Sequence, residues 1–185
     1  MYCPGRLYPL LVGMALSSHQ SATNNPSVVT WLVDGSNLRC SRGVPHERDS
    51  IIEELQKIAS PSDMKTTNCR DVLISNVVLV FDGDHNETFH KSRLSSWFQY
   101  IVTDGKDKQK DRGDDYIIEQ ALPELKDLDG RVHLVTADKD LGKRARATGI
   151  MKGGSIVHPP KFWKQYLPNL QVKQNRNEVT KSRMK

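Results

Sequence analysis

Acidic residues recur in this chain at points where secondary-structure elements are expected to end or begin. Asp34 and Asp82 directly follow short apolar segments, and Asp138 comes two residues after a third apolar segment. Asp114 and Asp115 are the first residues of a helical pattern. Carboxylates that converge repel each other and lose hydration, and a hard divalent cation with oxygen ligands compensates for both effects. The acids therefore predict a site for Mg²⁺ or Mn²⁺, ions that activate water and neutralise charge at a phosphodiester.

Each acid has a plainer interpretation when it is taken alone. A single aspartate after a strand commonly forms an Asx turn or caps the next helix. Asp114 suits such a cap, and Asp138 shares its turn with Asp140. Three strand-end acids together with a helix-start acid nevertheless favour the metal site over separate caps.

The elements that must position these acids alternate between strand and helix. Apolar, β-branched segments predict strands at 28–33, 76–81, 100–103 and 131–136, with a last strand within 150–157. Apolar residues at helical spacing predict helices at 47–59, 114–128, 139–147 and 159–166, of which the second contains Pro123 and should kink there. This alternation indicates an α/β fold with a mostly parallel sheet. The carboxyl ends of parallel strands lie at one edge, so the acids should meet there.

Composition sets the broad class of protein. The chain has 185 residues, of which 37% are hydrophobic and 26% charged, enough for one domain with a packed core. No apolar run reaches the roughly 18 residues of a membrane span, which excludes an integral membrane protein. Three scattered cysteines form neither a disulfide framework nor a zinc motif, so a reducing compartment is expected. Motifs of P-loop nucleotide hydrolysis and of serine hydrolases are absent.

The net charge of +5 is concentrated at one end of the chain. Residues 171–185 contain five Lys or Arg and one Glu, whereas residues 31–170 contain 21 basic and 21 acidic side chains. We therefore divide the chain into an extension at 1–27, a globular domain at 28–168 and a basic, disordered tail at 169–185. The tail suits a polyanion such as RNA, or is simply solvated. The extension contains no acid and is interpreted either as disordered, in a cytoplasmic protein, or as a targeting peptide for a plastid or mitochondrion.

Four segments resemble, in order and spacing, the motifs of the NYN domains, a branch of the PIN-like ribonuclease superfamily. They are Val33-Asp34-Gly35-Ser36-Asn37, Val80-Phe81-Asp82-Gly83, Gly113-Asp114-Asp115-Tyr116-Ile117 and Val135-Thr136-Ala137-Asp138-Lys139-Asp140-Leu141. The resemblance covers about residues 29–166 and is strongest to the YacP-type NYN proteins. The chain departs from the family at Gly113, where Ala is common, and at 82–85, where Asp-Ala-His-His is more usual. No acid of the four motifs is missing.

The resemblance implies a PIN-like three-layer α/β sandwich with a mostly parallel central sheet, and a Mg²⁺- or Mn²⁺-dependent endoribonuclease. The metal-binding, catalytic acids would be Asp34, Asp82, Asp114 and Asp138. Asn37 would orient Asp34 or contact the scissile phosphate, and Asp115 and Asp140 would support the ligands or orient the substrate. One bacterial subgroup of the family is ribosome-associated and cuts messenger RNA, so the resemblance admits the ribosome as a partner.

Basic residues flank the expected crevice. Lys106, Lys108, Lys110 and Arg112 alternate in the loop before Asp114, and Arg39 follows Asn37. We expect them to contact RNA phosphates on either side of the cut. Asp104, Asp107 and Asp111 cancel much of this charge, so a solvated loop is the alternative. The predicted function is a metal-dependent endoribonuclease. A binding module for RNA or the ribosome, with little turnover, is the second interpretation, and a Mg²⁺-dependent phosphatase the third.

Overall fold

The computed structural model describes residues 27–59, 73–105, 112–128, 130–151 and 153–170. Almost all of the expected extension, residues 171–185 of the expected tail, and Lys106, Lys108 and Lys110 lie outside these residues. None of the helices in the described ranges is long and apolar enough to cross a membrane.

Six strands form one sheet. They are β1 (Ser27–Asp34), β2 (Leu73–Phe81), β3 (His90–Ser95), β4 (Phe98–Val102), β5 (Arg131–Val135) and β6 (Ile156–Val157). Their order across the sheet is β3-β4-β2-β1-β5-β6. The β3–β4 pair is antiparallel and every other pair is parallel. A mostly parallel sheet, as expected from the continuous apolar strands, is confirmed.

The helices connect the strands. They are α1 (Gly35–Arg39), α2 (Arg48–Gln56), α3 (Arg112–Tyr116), α4 (Leu122–Glu124), α5 (Lys139–Ala147) and α6 (Pro159–Lys161). Ile117–Ala121 between α3 and α4, and Phe162–Tyr166 after α6, are π-helical. The π-helical turn before Pro123 has the Leu122 N–H donating to the Ile117 carbonyl. The kink expected at Pro123 stays a prediction.

Apolar side chains cover both faces of the sheet. On one face Val33, Leu79 and Phe81 pack against α1, α2 and the segment after α6. On the other face Leu32 and Val80 pack against the helical segments at 112–124 and against α5. Because successive strand residues alternate between these cores, the molecule is a three-layer α/β sandwich, as predicted.

Two elements were not predicted from the sequence. β3 is an edge strand whose residues are mostly exposed, so it lacks the apolar run that marked the other strands. The five-residue α1 is too short for an apolar period to show. The strand expected at 100–103 lies at 98–102, and the last strand is reduced to two residues.

The strand order reverses next to β1. The chain proceeds from β1 to β2 on one side and later returns to place β5 on the other. In open α/β sheets, the crevice beyond the carboxyl ends of the strands at such a reversal is the usual ligand site. Asp34 is the last residue of β1, and Thr136 and Asp138 follow β5, so this part of the sheet edge brings them together.

Candidate active site

Asp34 is the buried centre of the site. Only 4% of its surface is exposed, and it caps the amino terminus of α1. The Asn37 backbone N–H donates to Asp34 Oδ1 at 2.9 Å, and the Thr136 hydroxyl donates to Oδ2 at 2.8 Å. The side chain therefore has one fixed orientation at the end of β1.

The environment of Asp34 disfavours its charged form. Burial raises its pKa above the ordinary value of 3.8, and the nearby charge of Asp82 raises it further. Hydrogen bonds from Asn37, from both its backbone and its side chain, and from Thr136 oppose this rise without cancelling it. Among the described residues no Lys or Arg pairs with Asp34. A buried carboxylate in this state is one that a cation would stabilise.

Thr136 connects the first and fourth motifs. Its hydroxyl is buried, donates to Asp34 and accepts the Asp138 backbone N–H at 3.0 Å. Asp138 in turn caps α5, because its Oδ1 accepts the backbone N–H groups of Asp140 and Leu141 at 2.6 and 3.0 Å. The helix-cap interpretation of Asp138 is thus correct, and its Oδ2 is not used by the cap.

Asp82 connects the second and third motifs. The Ser36 hydroxyl accepts the Asp82 backbone N–H at 2.8 Å, which ties the first motif to the second. Asp82 Oδ1 accepts the Gly113 backbone N–H at 2.7 Å, at the start of α3. A Cβ at position 113 would lie 2.8 Å from that same oxygen. The lack of a side chain at Gly113 is therefore what lets the carboxylate approach the helix this closely.

Asp114 and Asp115 follow in the first turn of α3. Asp115 forms an ion pair with Arg144 of α5 at 2.6 Å, and the hydrogen bond between them, helped by the charges of Asp115, Asp114 and Asp140, raises the pKa of Arg144. This pair joins α3 to α5 beside the crevice. Asp114 also has a partner in the structure. Asp115 is therefore engaged in holding two helices together.

Arg48 holds the loop after Asp82. It donates to both carboxylate oxygens of Glu87 at 2.6 and 2.8 Å and to the main-chain carbonyl of Asp82 at 2.7 Å. Its guanidinium also lies over the ring of Phe81, 5.5 Å from the centroid. The Arg48 hydrogen bond lowers the pKa of Glu87. Planar, multiple hydrogen bonds of this kind fix loop geometry in a way that Lys does not reproduce.

The residues expected to bind RNA are only partly described. Arg39 is half-buried at the end of α1, close enough to Glu87 for its charge to help lower the pKa of that side chain. The Arg112 guanidinium donates to the main-chain carbonyl of Asp104. Contacts of Arg39, Lys106, Lys108, Lys110 and Arg112 with RNA stay predictions.

Four residues that hold the site were not predicted: Ser36, Arg48, Glu87 and Thr136. Ser36 and Thr136 lie inside the quoted motifs, and their hydroxyls next to strand-end acids were the available signal. Arg48 and Glu87 gave no signal, because charged residues at a helix start and in a loop are ordinarily solvated. Their pairing arises from the fold, which brings together positions 39 residues apart.

The acids do not form a ready-made metal site. Among the described residues, no three His, Cys, Asp or Glu side chains are grouped so that they could hold an ion. The chemistry of the donors still fits Mg²⁺ or Mn²⁺, since the crevice offers carboxylate oxygens and a buried Asp34 without a cationic partner. Asp34 and Asp82 would be the first ligands, and Asp114 and Asp138 lie on adjacent helix starts. The assignment of the four acids as ligands stays a prediction.

Comparison with known proteins gives one similarity in structure. No protein-family model and no curated protein matches the chain. Among solved structures, the chain is similar to the crystal structure of a mutant of Rae1 (YacP) from Bacillus subtilis. The two are 15% identical, the match covers 82% of this chain and 84% of that chain, and the TM-score is 0.49. At this identity the similarity concerns the fold alone.

Proposed function

We propose that the protein is a metal-dependent endoribonuclease whose site lies at the carboxyl edge of β1, β2 and β5. The observation that carries the proposal is the buried, unpaired carboxylate of Asp34, hydrogen-bonded through Thr136 to the segment of Asp138 and close to Asp82. Burial of a carboxylate without a cationic partner has a desolvation cost that its two hydrogen bonds offset only in part, and a bound cation would remove this cost. The resemblance of the four motifs to NYN nucleases supports RNA as the substrate, and ribosome-associated messenger RNA as one form of it.

The chain's own residues would bind and orient. Asn37 and Thr136 keep Asp34 in one rotamer, while Ser36 and Arg48 fix the backbone of Asp82 from two sides. When bound at these carboxylates, Mg²⁺ or Mn²⁺ supplies the activated water and neutralises charge on the scissile phosphate. The rigidity of the carboxylates matters because preorganised charge is what stabilises a transition state.

A binding module is the second candidate. It is favoured by the absence of a three-residue metal group among the described residues and by the use of Asp138 as a helix cap and Asp115 as an ion-pair partner. In that case the protein would bind RNA equally well in EDTA and in Mn²⁺, with no turnover.

Cleavage of an end-labelled RNA distinguishes the two candidates. The purified chain is incubated with the RNA in Mn²⁺ or EDTA, beside the Asp34→Asn/Asp82→Asn variant. The control is Asp127→Asn, which makes the same chemical change at an exposed acid after α4. We expect internal cuts that need the metal, persist in the control and disappear in the double variant. Equal cutting by the folded double variant would refute the assignment, and binding without any cutting would support the module.

A further inference from the structure

α5 presents three cations in one line on its exposed side. Lys139, Lys143 and Arg146 are all exposed, and at 100° per residue they fall within about 60° of arc around the helix. Lys139 and Arg146 are about 10 Å apart along the axis at 1.5 Å per residue. We call these three residues the α5 cationic line.

The α5 cationic line has no acidic partner within the described part of the chain. Each ion pair in the described ranges involves other cations, and the neighbouring Arg144 is the one residue of α5 that pairs, with Asp115. Arg144 lies on another side of the helix, together with Asp140. The line is therefore free to bind an anion, while Arg144 has a structural partner.

Helix stability does not explain the line. Arg146 lies in the last turn, where a cation interacts favourably with the helix dipole. Lys139 is the first residue of α5, where the helix dipole disfavours a cation. A lysine in that place points to a role outside the helix.

The line begins at the candidate active site. Lys139 directly follows Asp138, which caps α5 and whose backbone N–H donates to the Thr136 hydroxyl. Any polyanion lying in the crevice at Asp34 would thus meet positive charge as it leaves along α5. On a neighbouring side of the same helix, Arg144 is paired with Asp115, and Asp140 adds a further negative charge.

We propose that Lys139, Lys143 and Arg146 bind the phosphate backbone of single-stranded RNA as it leaves the crevice along α5. The proposal rests on the proposed function for its ligand. Lysine and arginine spaced along one helix side contact successive phosphates without reading bases, so the interaction is independent of sequence and sensitive to salt.

The test is RNA affinity as a function of salt. A fluorescently labelled single-stranded RNA is titrated with the full chain in EDTA and several KCl concentrations, and anisotropy is recorded. The variant is Lys139→Gln/Lys143→Gln/Arg146→Gln, chosen because Gln, Lys and Arg have similar helix propensities. The control, Lys57→Gln/Lys126→Gln/Lys164→Gln, removes the same number of charges from exposed lysines elsewhere. Thermal unfolding verifies that both are folded.

We expect the slope of log affinity against log salt to fall by about 2 in the α5 variant, since each phosphate contact with a single strand contributes about 0.7. At roughly 0.1 M salt this corresponds to about a hundredfold weaker binding, against less than about threefold in the control. Equal losses in the two variants, or a wild-type chain that binds no RNA, would overturn the proposal.

The proposal and the proposed function fail separately. Because EDTA prevents metal-dependent cleavage, a chain that binds RNA through α5 but never cuts it would keep this inference and refute the nuclease. A nuclease whose RNA affinity is unchanged in the α5 variant would refute this inference and keep the proposed function.

Discussion

Replacing Thr136 tests whether its hydroxyl holds the first and fourth motifs together. In Thr136→Val the shape is nearly kept, but the donor to Asp34 and the acceptor for the Asp138 N–H are both lost. Thr136→Ser keeps the hydroxyl and serves as the matched control. The position is 2% exposed, so water cannot replace either hydrogen bond without a local opening.

The expected loss follows from the two hydrogen bonds. A hydrogen bond to a charged group contributes about 1.5–3 kcal/mol, and a buried N–H left without an acceptor costs about 1–3 kcal/mol. Asp138 is only half-buried, so part of the second cost is recovered through solvent. We therefore expect Thr136→Val to lower the free energy of unfolding by about 3 kcal/mol at pH 7, and Thr136→Ser by about 1 kcal/mol.

The loss should depend on pH in one direction. The Thr136 hydroxyl lowers the pKa of Asp34, so its removal raises that pKa further above 3.8. At a pH low enough to protonate Asp34 in both proteins, Thr136→Val loses only a hydrogen bond to a neutral group. The difference in free energy of unfolding between wild type and Thr136→Val should therefore shrink by about 1 kcal/mol. Urea unfolding in EDTA at pH 7 and at a series of lower pH values measures both. A Thr136→Val protein as stable as Thr136→Ser at pH 7 would refute the reasoning.

Three further predictions concern the acids and their supports. Asp34→Asn should raise the free energy of unfolding by about 1 kcal/mol in EDTA at pH 7. The raised pKa of Asp34 means that its protonated form favours folding and that this stability is lost as pH rises through that pKa, so the gain should shrink as the pH is lowered through it. A gain that stays unchanged on acidification would contradict the pKa shift. Arg48→Ala should destabilise the fold by about 2 kcal/mol, and Arg48→Lys by nearly as much, since the pairing with Glu87 and the Asp82 carbonyl is planar. An Arg48→Lys protein as stable as wild type in urea unfolding would show that charge alone matters. Gly113→Ala should change the free energy of unfolding by less than about 1 kcal/mol. It should nevertheless lower the metal-dependent cleavage rate at least about tenfold, because the new Cβ displaces the Asp82 carboxylate. Unchanged cleavage would refute a fixed role for that carboxylate.

The sheet and the positions of the acids could be predicted from the sequence because the patterns that indicate them are local. Continuous apolar runs marked β1, β2 and β5, and the rule that parallel strands end at one edge placed Asp34 and Asp82 together. The exposed edge strand β3 gave no such signal, because its stability comes from pairing with β4 rather than from burial.

The hydrogen bonds and ion pairs that hold the site could not be predicted from the sequence in the same way. The Asp82 N–H donates to Ser36 and the Thr136 hydroxyl donates to Asp34, across 46 and 102 residues of sequence. The motifs contain these hydroxyl groups, but no local pattern identifies their partners. The pairing of Asp115 with Arg144 likewise depends on how α3 packs beside α5. Sequence identified which side chains could do chemistry, and the fold determined which of them are engaged in structure.

Binding of Mn²⁺ is the measurement that tests the central claim most directly, because every catalytic statement depends on a metal held at Asp34 and Asp82. Free Mn²⁺ is followed by electron paramagnetic resonance while wild type, Asp34→Asn/Asp82→Asn and the control Asp127→Asn are titrated without RNA. We predict at least about one ion bound by wild type and control, and at least about tenfold weaker binding by the folded double variant. Equal binding by all three proteins, or none by wild type, would contradict the claim.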